Sequence, residues 1–421
     1  MALTAKPVAT YRDPTRDAAF DLLTGVFERH RALEEALDAL PPIDARDRSA
    51  AHRLAATVLR RSGTLDAILE PLLKKAPPEP VRHILRLGAA GALLLGTPSH
   101  AAVATAVALA RARGLTPFAG LINAVLRRVT EAGPDVLDAL DGPRLDTPAW
   151  LWSSWGSDAR AIAIAHQAEA PLDLTMKPGA TPPEGGEMLP TGSVRYPPGT
   201  RVTELAGYAE GAFWVQDAAA ALPAFLLAPR PGERIADLCA APGGKTAQLA
   251  AAGAEVVAVE QDPARLGRLQ ENLTRLRLSA ETVLADATAW QPARGFDAIL
   301  LDAPCSATGT IRRHPDVVQL KRPRDIAQFT VQQDRLLQAA ADRLLPGGRL
   351  VYAVCSLQPE EGPARVEAAL KMGLRLDPFT KPELPGLPQA ITGEGTLRTH
   401  PGLWPGRGGM DGFFAARLRK T

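Results

Sequence analysis

The sequence predicts an α/β protein in which a doubly wound domain is preceded by an all-α helical domain and a small connecting α+β region. Three observations carry this reading. Apolar residues recur at helical spacing through the first third, proline and glycine interrupt the stretch after it, and from Pro231-Gly232 onward short apolar strands alternate with helical segments. At roughly 150 residues per domain, 421 residues accommodate two or three such units.

In the first third, Ala19, Leu22, Leu23, Val26 and Phe27 fall on one helical face, and similar patterns continue to about Val129. Turn signals separate them at Pro41-Pro42, Ser62-Gly63, Pro77-Pro78, Thr97-Pro98-Ser99 and Gly133-Pro134, which predicts a bundle over 15–130 within a domain 1–140. The connector, 141–225, is broken by Pro178, Pro182, Pro183, Gly185, Gly186, Pro197 and Pro198, and 178–200 is expected as a solvated loop. The third domain, 226–421, is predicted to place strands at 234–239, 255–260, 281–285, 297–302 and 349–355. Helices are expected at 245–252, 263–277, 324–344 and 360–371, with a closing strand near 413–418.

Composition narrows the function classes. A net charge of +2 is too small to imply a nucleic-acid partner, so local clusters must carry that argument. No apolar run approaches the roughly 20 residues that span a bilayer, and the first residues lack a secretory pattern, so a cytoplasmic protein is expected. Cys239, Cys305 and Cys355 are far apart in sequence, with none of the close pairs of structural zinc sites. A reducing compartment, no metal and a monomer are expected.

Ligands bind outside the carboxyl ends of parallel strands, and all three cysteines fall there. For Cys239 alone, a small buried hydrophobe is as good a reading as a ligand contact. The segment Asp237 to Thr246 follows a strand and opens a helix, where Gly243 and Gly244 let backbone approach a nucleotide or cofactor. Gly244-Lys245-Thr246 matches the tail of a P-loop, and Ala298 to Asp302 resembles a strand ending in a magnesium-binding acid. A P-loop, however, needs glycine where Cys239 stands, so an NTPase is rejected. Glu260 ends the next strand about twenty residues on, where related folds bind ribose hydroxyls, with Asp262 as the fallback. Asp286, at the third strand end, is placed to accept from an adenine amino group.

The most informative stretches are Leu301 to Asp316, LDAPCSATGTIRRHPD, and Val351 to Glu361, VYAVCSLQPEE, each with a cysteine just beyond a strand. Over nearly the whole chain, the sequence resembles the RsmB branch of the NOP2/Sun family, bacterial enzymes that methylate cytosine C5 in 16S ribosomal RNA. The resemblance implies a Rossmann-like methyltransferase domain and an N-terminal NusB-like RNA-binding domain. It implies that Cys239, Ala240, Ala241, Pro242, Gly243, Gly244 and Lys245 bind S-adenosylmethionine together with Glu260, Asp286 and Asp302. It further implies that Cys355 is the nucleophile and Cys305 the Pro-Cys partner. The chain departs from the family pattern at Val354 for Thr, at Gly362 for Asn, and at 172–177, Leu-Asp-Leu-Thr-Met-Lys, where Arg-Val-Asn is usual.

The chemistry needs these residues. C5 of cytosine is a poor nucleophile until a thiolate adds to C6, the task of Cys355. An ordinary thiol, with pKa about 8.5, is mostly protonated at neutral pH, so nearby positive charge from Lys245, Arg312 or Arg313 is expected to favour the thiolate. Asp302 is expected to stabilise ring nitrogen 3, and Cys305 to assist removal of the C5 proton. The base must be unstacked, which favours a single-stranded loop. Arg312, Arg313, Lys321, Arg322 and Arg324 face only Asp316 within their run and are expected to hold RNA phosphates beside the site. Arg60-Arg61, Lys74-Lys75 and Arg127-Arg128 read as solvated faces. A catalytically silent RNA-binding assembly factor is the other class considered, and two retained cysteines argue against it.

Overall fold

A computed structural model describes residues 13–421; most of the N-terminal stretch read above for a leader lies outside the described residues. The chain divides into two compact units. Among the described residues, one comprises 13–149 together with 314–320, and the other 150–313 with 321–421. The connector and the strand-rich region expected as separate domains are therefore one unit, and the helical unit is discontinuous.

The helical unit contains helices Pro14–Phe27, Leu33–Asp38, Ala45–Arg60, Ser62–Leu69, Glu79–Leu94, Ser99–Ala112 and Ala119–Ala132. Leu22, Leu23, Val26, Leu54, Val58, Ile84 and Ile122 form one apolar core, as their spacing predicts. Four of the five expected turns separate helices. The fifth, Ser62-Gly63, stands just after the break at Arg61 and opens the helix Ser62–Leu69, and a Cβ at Gly63 would collide with the backbone of Leu145. The segment 314–320 contributes Asp316, whose Oδ2 accepts the N–H of Leu33 at 2.9 Å and satisfies an otherwise orphaned donor at the start of Leu33–Asp38.

In the second unit, β1 (Leu172–Met176), β2 (Glu187–Met188), β3 (Val194–Tyr196) and β4 (Phe213–Val215) form an antiparallel sheet in the order β2-β3-β1-β4. The stretch expected as a solvated loop thus holds two strands. Tyr196 is buried and donates to the Pro183 carbonyl at 2.6 Å, and Gly186 leaves the space its ring fills.

The main sheet is built from β5 (Arg234–Leu238), β6 (Glu255–Glu260), β7 (Glu281–Leu284), β8 (Phe296–Asp302), β9 (Leu344–Val354), β10 (Leu374–Leu376), β11 (Leu397–Arg398) and β12 (Phe414–Lys420). Its order is β10-β12-β9-β8-β5-β6-β7, with β11 beside β12; β5 to β9 are parallel and β12 runs antiparallel to β9. Period-two alternation sends Ile235, Ala298, Leu300, Val351 and Ala353 to a core shared with helix Ala218–Leu227. Ala236, Leu238, Ile299, Leu301, Tyr352 and Val354 go to the other face, against helix Pro323–Arg343. Both faces are covered, which is why these strands read as continuous apolar runs. The strand β9 begins five residues before its predicted start because Phe296 pairs with Leu344 across a bulge. Among the described residues no helix is long and apolar enough to cross a membrane.

Candidate active site at the carboxyl ends of the strands

The topology brings the ends of β5, β6, β7, β8 and β9 to one edge of the sheet, and with them most of the residues singled out from sequence. Beyond β5 the chain turns at Cys239, which adopts φ +62°, and Gly243 at φ +100° leads into helix Gly244–Ala251. The Cys239 thiol is pushed up by burial first and by the charges of Glu260, Asp302 and Asp237 second, so it keeps its proton. It lines the turn. Thr246 donates to Asp237 Oδ2 at 2.6 Å, which spends the hydroxyl that a P-loop would turn toward a metal.

Glu260 is 2% exposed, and its carboxylate accepts the N–H groups of Gln261 (2.9 Å), Asp262 (3.1 Å) and Ala241 (3.3 Å). Asp262 caps the helix Pro263–Leu276, so both ribose candidates already hold backbone N–H groups of the fold. Asp286 is exposed; its Oδ1 accepts from the N–H and hydroxyl of Thr288, both at 2.8 Å.

Cys305 and Cys355 follow the adjacent strands β8 and β9, and their sulfurs are 3.5 Å apart. The Cys305 thiol is pushed well up, by its hydrogen bond to Cys355 first and by burial second. Lys245 donates to Asp302 Oδ2 at 2.7 Å and lies over the Phe413 ring. Burial pulls the Lys245 ammonium down, but Asp302 outweighs it and the net direction is up, so the charge persists. The Cys355 sulfur is among the groups whose charge acts on Lys245 and Arg313, so both cations lie near it. The backbone of Gly309 crosses that of Gly412 too closely for any side chain, and its N–H donates to the Cys355 carbonyl at 3.0 Å.

The basic run divides. Arg312 is 1% exposed and donates to Asp217, to Asp411 at 3.1 Å and to the Gly408 carbonyl at 2.9 Å. Arg313 is bound to Asp411 at 2.5 Å. Arg312 is therefore a buried structural cation, which corrects its expected place among phosphate contacts: its fork is filled by acids distant in sequence. Burial pushes the Asp217 carboxyl up, yet Arg312 and Arg313 outweigh it and hold it below the ordinary range. Arg322 and Arg324 are exposed and Lys321 half-buried.

Sequence reasoning assigned no role to Asp217, Asp411, Phe413, Ser306, Ser356 or Glu361. The repeated Cys-Ser at 305–306 and 355–356 was a usable signal, because Glu361 accepts from both serines. At Gly362, a Cβ would crowd the Arg398 guanidinium, which lies over the Phe414 ring and donates to the Ser356 carbonyl at 2.7 Å.

A family model described as 16S rRNA methyltransferase RsmB/F matches residues 224–419, and a NusB family model matches 13–131. The chain is 36% identical to ribosomal RNA small subunit methyltransferase B of Vibrio cholerae, covering 96% of this chain and 97% of that one. Its identity to the protein of the same name from Xanthomonas campestris is 36%, covering 97% of both. The chain belongs to the RsmB/F methyltransferase family. The crystal structure of PH0851 shares its fold, with a TM-score of 0.76 at 22% identity over 97% of this chain and 99% of that one. A methyltransferase homologue from Pyrococcus horikoshii is 28% identical, with a TM-score of 0.52 over 64% of this chain and 93% of that one.

The cofactor of an RsmB/F methyltransferase is S-adenosylmethionine, and the strand ends fit it chemically. A ribose diol and an adenine amino group are hydrogen-bond donors, and Glu260 and Asp286 offer carboxylate acceptors. Asp286 leaves Oδ2 without a partner among the described residues. The turn Cys239 to Gly244 supplies a close backbone approach. Among the described residues, no cluster of three or more His, Cys, Asp or Glu has the form of a metal site.

Proposed function

We propose that this chain methylates C5 of a cytosine in 16S ribosomal RNA through a covalent bond between Cys355 and cytosine C6. The observation that carries the reading is the pair of thiols 3.5 Å apart at the ends of β8 and β9, next to the Lys245–Asp302 ion pair. The names of the relatives, small subunit rRNA methyltransferases, support the substrate class.

Cys239 to Lys245, Glu260, Asp286 and Asp302 would hold S-adenosylmethionine, which would supply an electrophilic methyl group. The protein must do the rest. The Cys355 sulfur, with the cations Lys245 and Arg313 near it, adds to C6 as the thiolate and makes C5 nucleophilic. Asp302, oriented by Lys245, acts on ring nitrogen 3 as a carboxylic acid, giving that nitrogen its proton as negative charge accumulates there and itself becoming the carboxylate paired with Lys245. After the methyl has joined C5, that carbon gives its proton to Cys305 while Cys305 gives its own to the departing Cys355 sulfur. The 3.5 Å contact between the two sulfurs suits that relay. Lys321, Arg322 and Arg324 are left to meet phosphates.

The two cysteines serve opposite ends of the cycle, so their variants separate. Cys355→Ala is expected to form neither product nor adduct, and Cys305→Ala to accumulate an RNA-shifted band on a denaturing gel. The reverse pattern would make Cys305 the nucleophile, and unchanged turnover in both would end the thiolate mechanism.

A further inference from the structure

Glu361 is fully buried, and among the described residues no lysine or arginine pairs with it. A carboxylate in that position is costly unless its lone pairs are filled. Here four donors fill them. Oε1 accepts the N–H of Ser306 at 2.9 Å and Gln333 Nε2 at 3.1 Å, while Oε2 accepts the hydroxyls of Ser306 and Ser356, both at 2.5 Å. Ser306 directly follows Cys305, and Ser356 directly follows Cys355. One side chain is thus tied to the residue after each thiol.

We propose that Glu361 is a positioning residue that holds the two cysteine loops in register, so that Cys305 stands against the Cys355 sulfur when product is released. This rests on the roles given above to the two cysteines.

The loops depend on the carboxylate unequally. Cys355 follows β9 directly, and its carbonyl is held by Gly309. The Cys305 loop has left β8 at Asp302; its later part is tied by Thr308 to Leu357 and by Gly309 to Cys355 and Gly412, but around Cys305 itself, beyond the Ala303 N–H bond to Ala353, it is held by Gln333 at the Pro304 carbonyl and at Ser306 by Glu361 and the Ser356 hydroxyl. Loss of the carboxylate therefore displaces Cys305 more than Cys355, impairing release and sparing addition. Misplacement by about 1 Å can cost on the order of 100-fold in rate.

The test uses the full chain with RNA and S-adenosylmethionine and compares Glu361→Ala, Glu361→Gln and Ser306→Ala with Cys305→Ala. Glu361→Ala is expected to lower kcat by at least about 10-fold with the KM for RNA within about 2-fold, and to raise the gel-shifted adduct toward the Cys305→Ala level. Glu361→Gln, whose amide nitrogen can donate to hydroxyls that turn to accept, is expected to restore kcat to within about 3-fold of the parent. Ser306→Ala is expected to trap an intermediate amount of adduct, and it decides the matter if Glu361→Ala does not fold. Parent-level adduct in folded Glu361→Ala and Ser306→Ala, with excess adduct in Cys305→Ala, overturns this inference alone. A Gln variant as slow as the Ala variant also overturns it, since charge and not register would then matter. No adduct in Cys305→Ala overturns this inference and the reading of the cysteines together.

Discussion

Arg312 and Arg324 belong to one basic run, yet one side chain is 1% exposed and the other 88%. What separates them is the company each meets. Asp217 and Asp411 come from 95 and 99 residues away to close around Arg312, whereas Arg324 reaches only its neighbour Asp325, at 3.9 Å. A guanidinium whose fork is filled by buried acids is part of the fold. One left in water remains free for a phosphate, and the spacing of charges along the chain cannot tell the two apart.

The largest expected effect follows from removing the buried member. Arg312→Ala leaves Asp217 and Asp411 without their shared cation and is expected to cost about 3–5 kcal/mol in urea unfolding. Arg312→Lys should recover little of this, since one ammonium cannot span both carboxylates and the Gly408 carbonyl. A loss under about 0.5 kcal/mol, the range of ordinary surface changes, would erase the distinction.

Asp237 sharpens the comparison, as a buried acid with no arginine. Burial pushes its carboxyl up to about 7, against the next largest effects, the Thr246 hydrogen bond and the Lys245 charge, and with smaller help from the charges of Asp302 and Glu260. The unfolded value is about 3.9. Below about pH 4 both states hold the proton, and between about 4 and 7 the unfolded chain loses it while the folded chain retains it. Stability contributed by the neutral carboxyl should therefore fall as pH rises through that window, by roughly a few kcal/mol. Asp237→Asn is expected to flatten this part of the pH–stability profile. An unchanged slope would mean that Asp237 is ionised in the folded chain.

The smallest effects on stability belong to the exposed cations. Arg322→Ala and Arg324→Ala are expected to stay within about 0.5 kcal/mol of the parent in unfolding. They should nonetheless weaken RNA binding and lower the slope of log affinity against log salt by about 0.7 for each phosphate no longer neutralised. An unaltered salt slope in the double variant would remove this end of the run from the RNA interface.

The sheet was legible because parallel strands covered on both faces are apolar runs, and Gly243, Glu260, Asp286 and Asp302 mark where those runs stop. The short β10 and β11 were missed, since Leu-Arg-Leu and Leu-Arg carry too little periodicity and form only as partners of β12. At the site, both cysteines, Lys245 and Asp302 were marked by motif and strand end, but the pairing of Lys245 with Asp302 was not. The partners of Arg312 did not, because a lone aspartate has no sequence mark of the arginine it will meet. Glu361 stood at the end of the Val351 to Glu361 motif, but its role depends on where two serines 50 residues apart come together.

The bond from Leu33 to Asp316 has a consequence during synthesis. Its two ends are 283 residues apart, and at about 5–20 residues per second the ribosome needs roughly 15–60 s to make the chain between them. Throughout that interval the N–H at the start of Leu33–Asp38 lacks its carboxylate, although the helices through Ala132 have long been made. A nascent chain halted before residue 316 would therefore present a helical unit that has its helices but not its last cap.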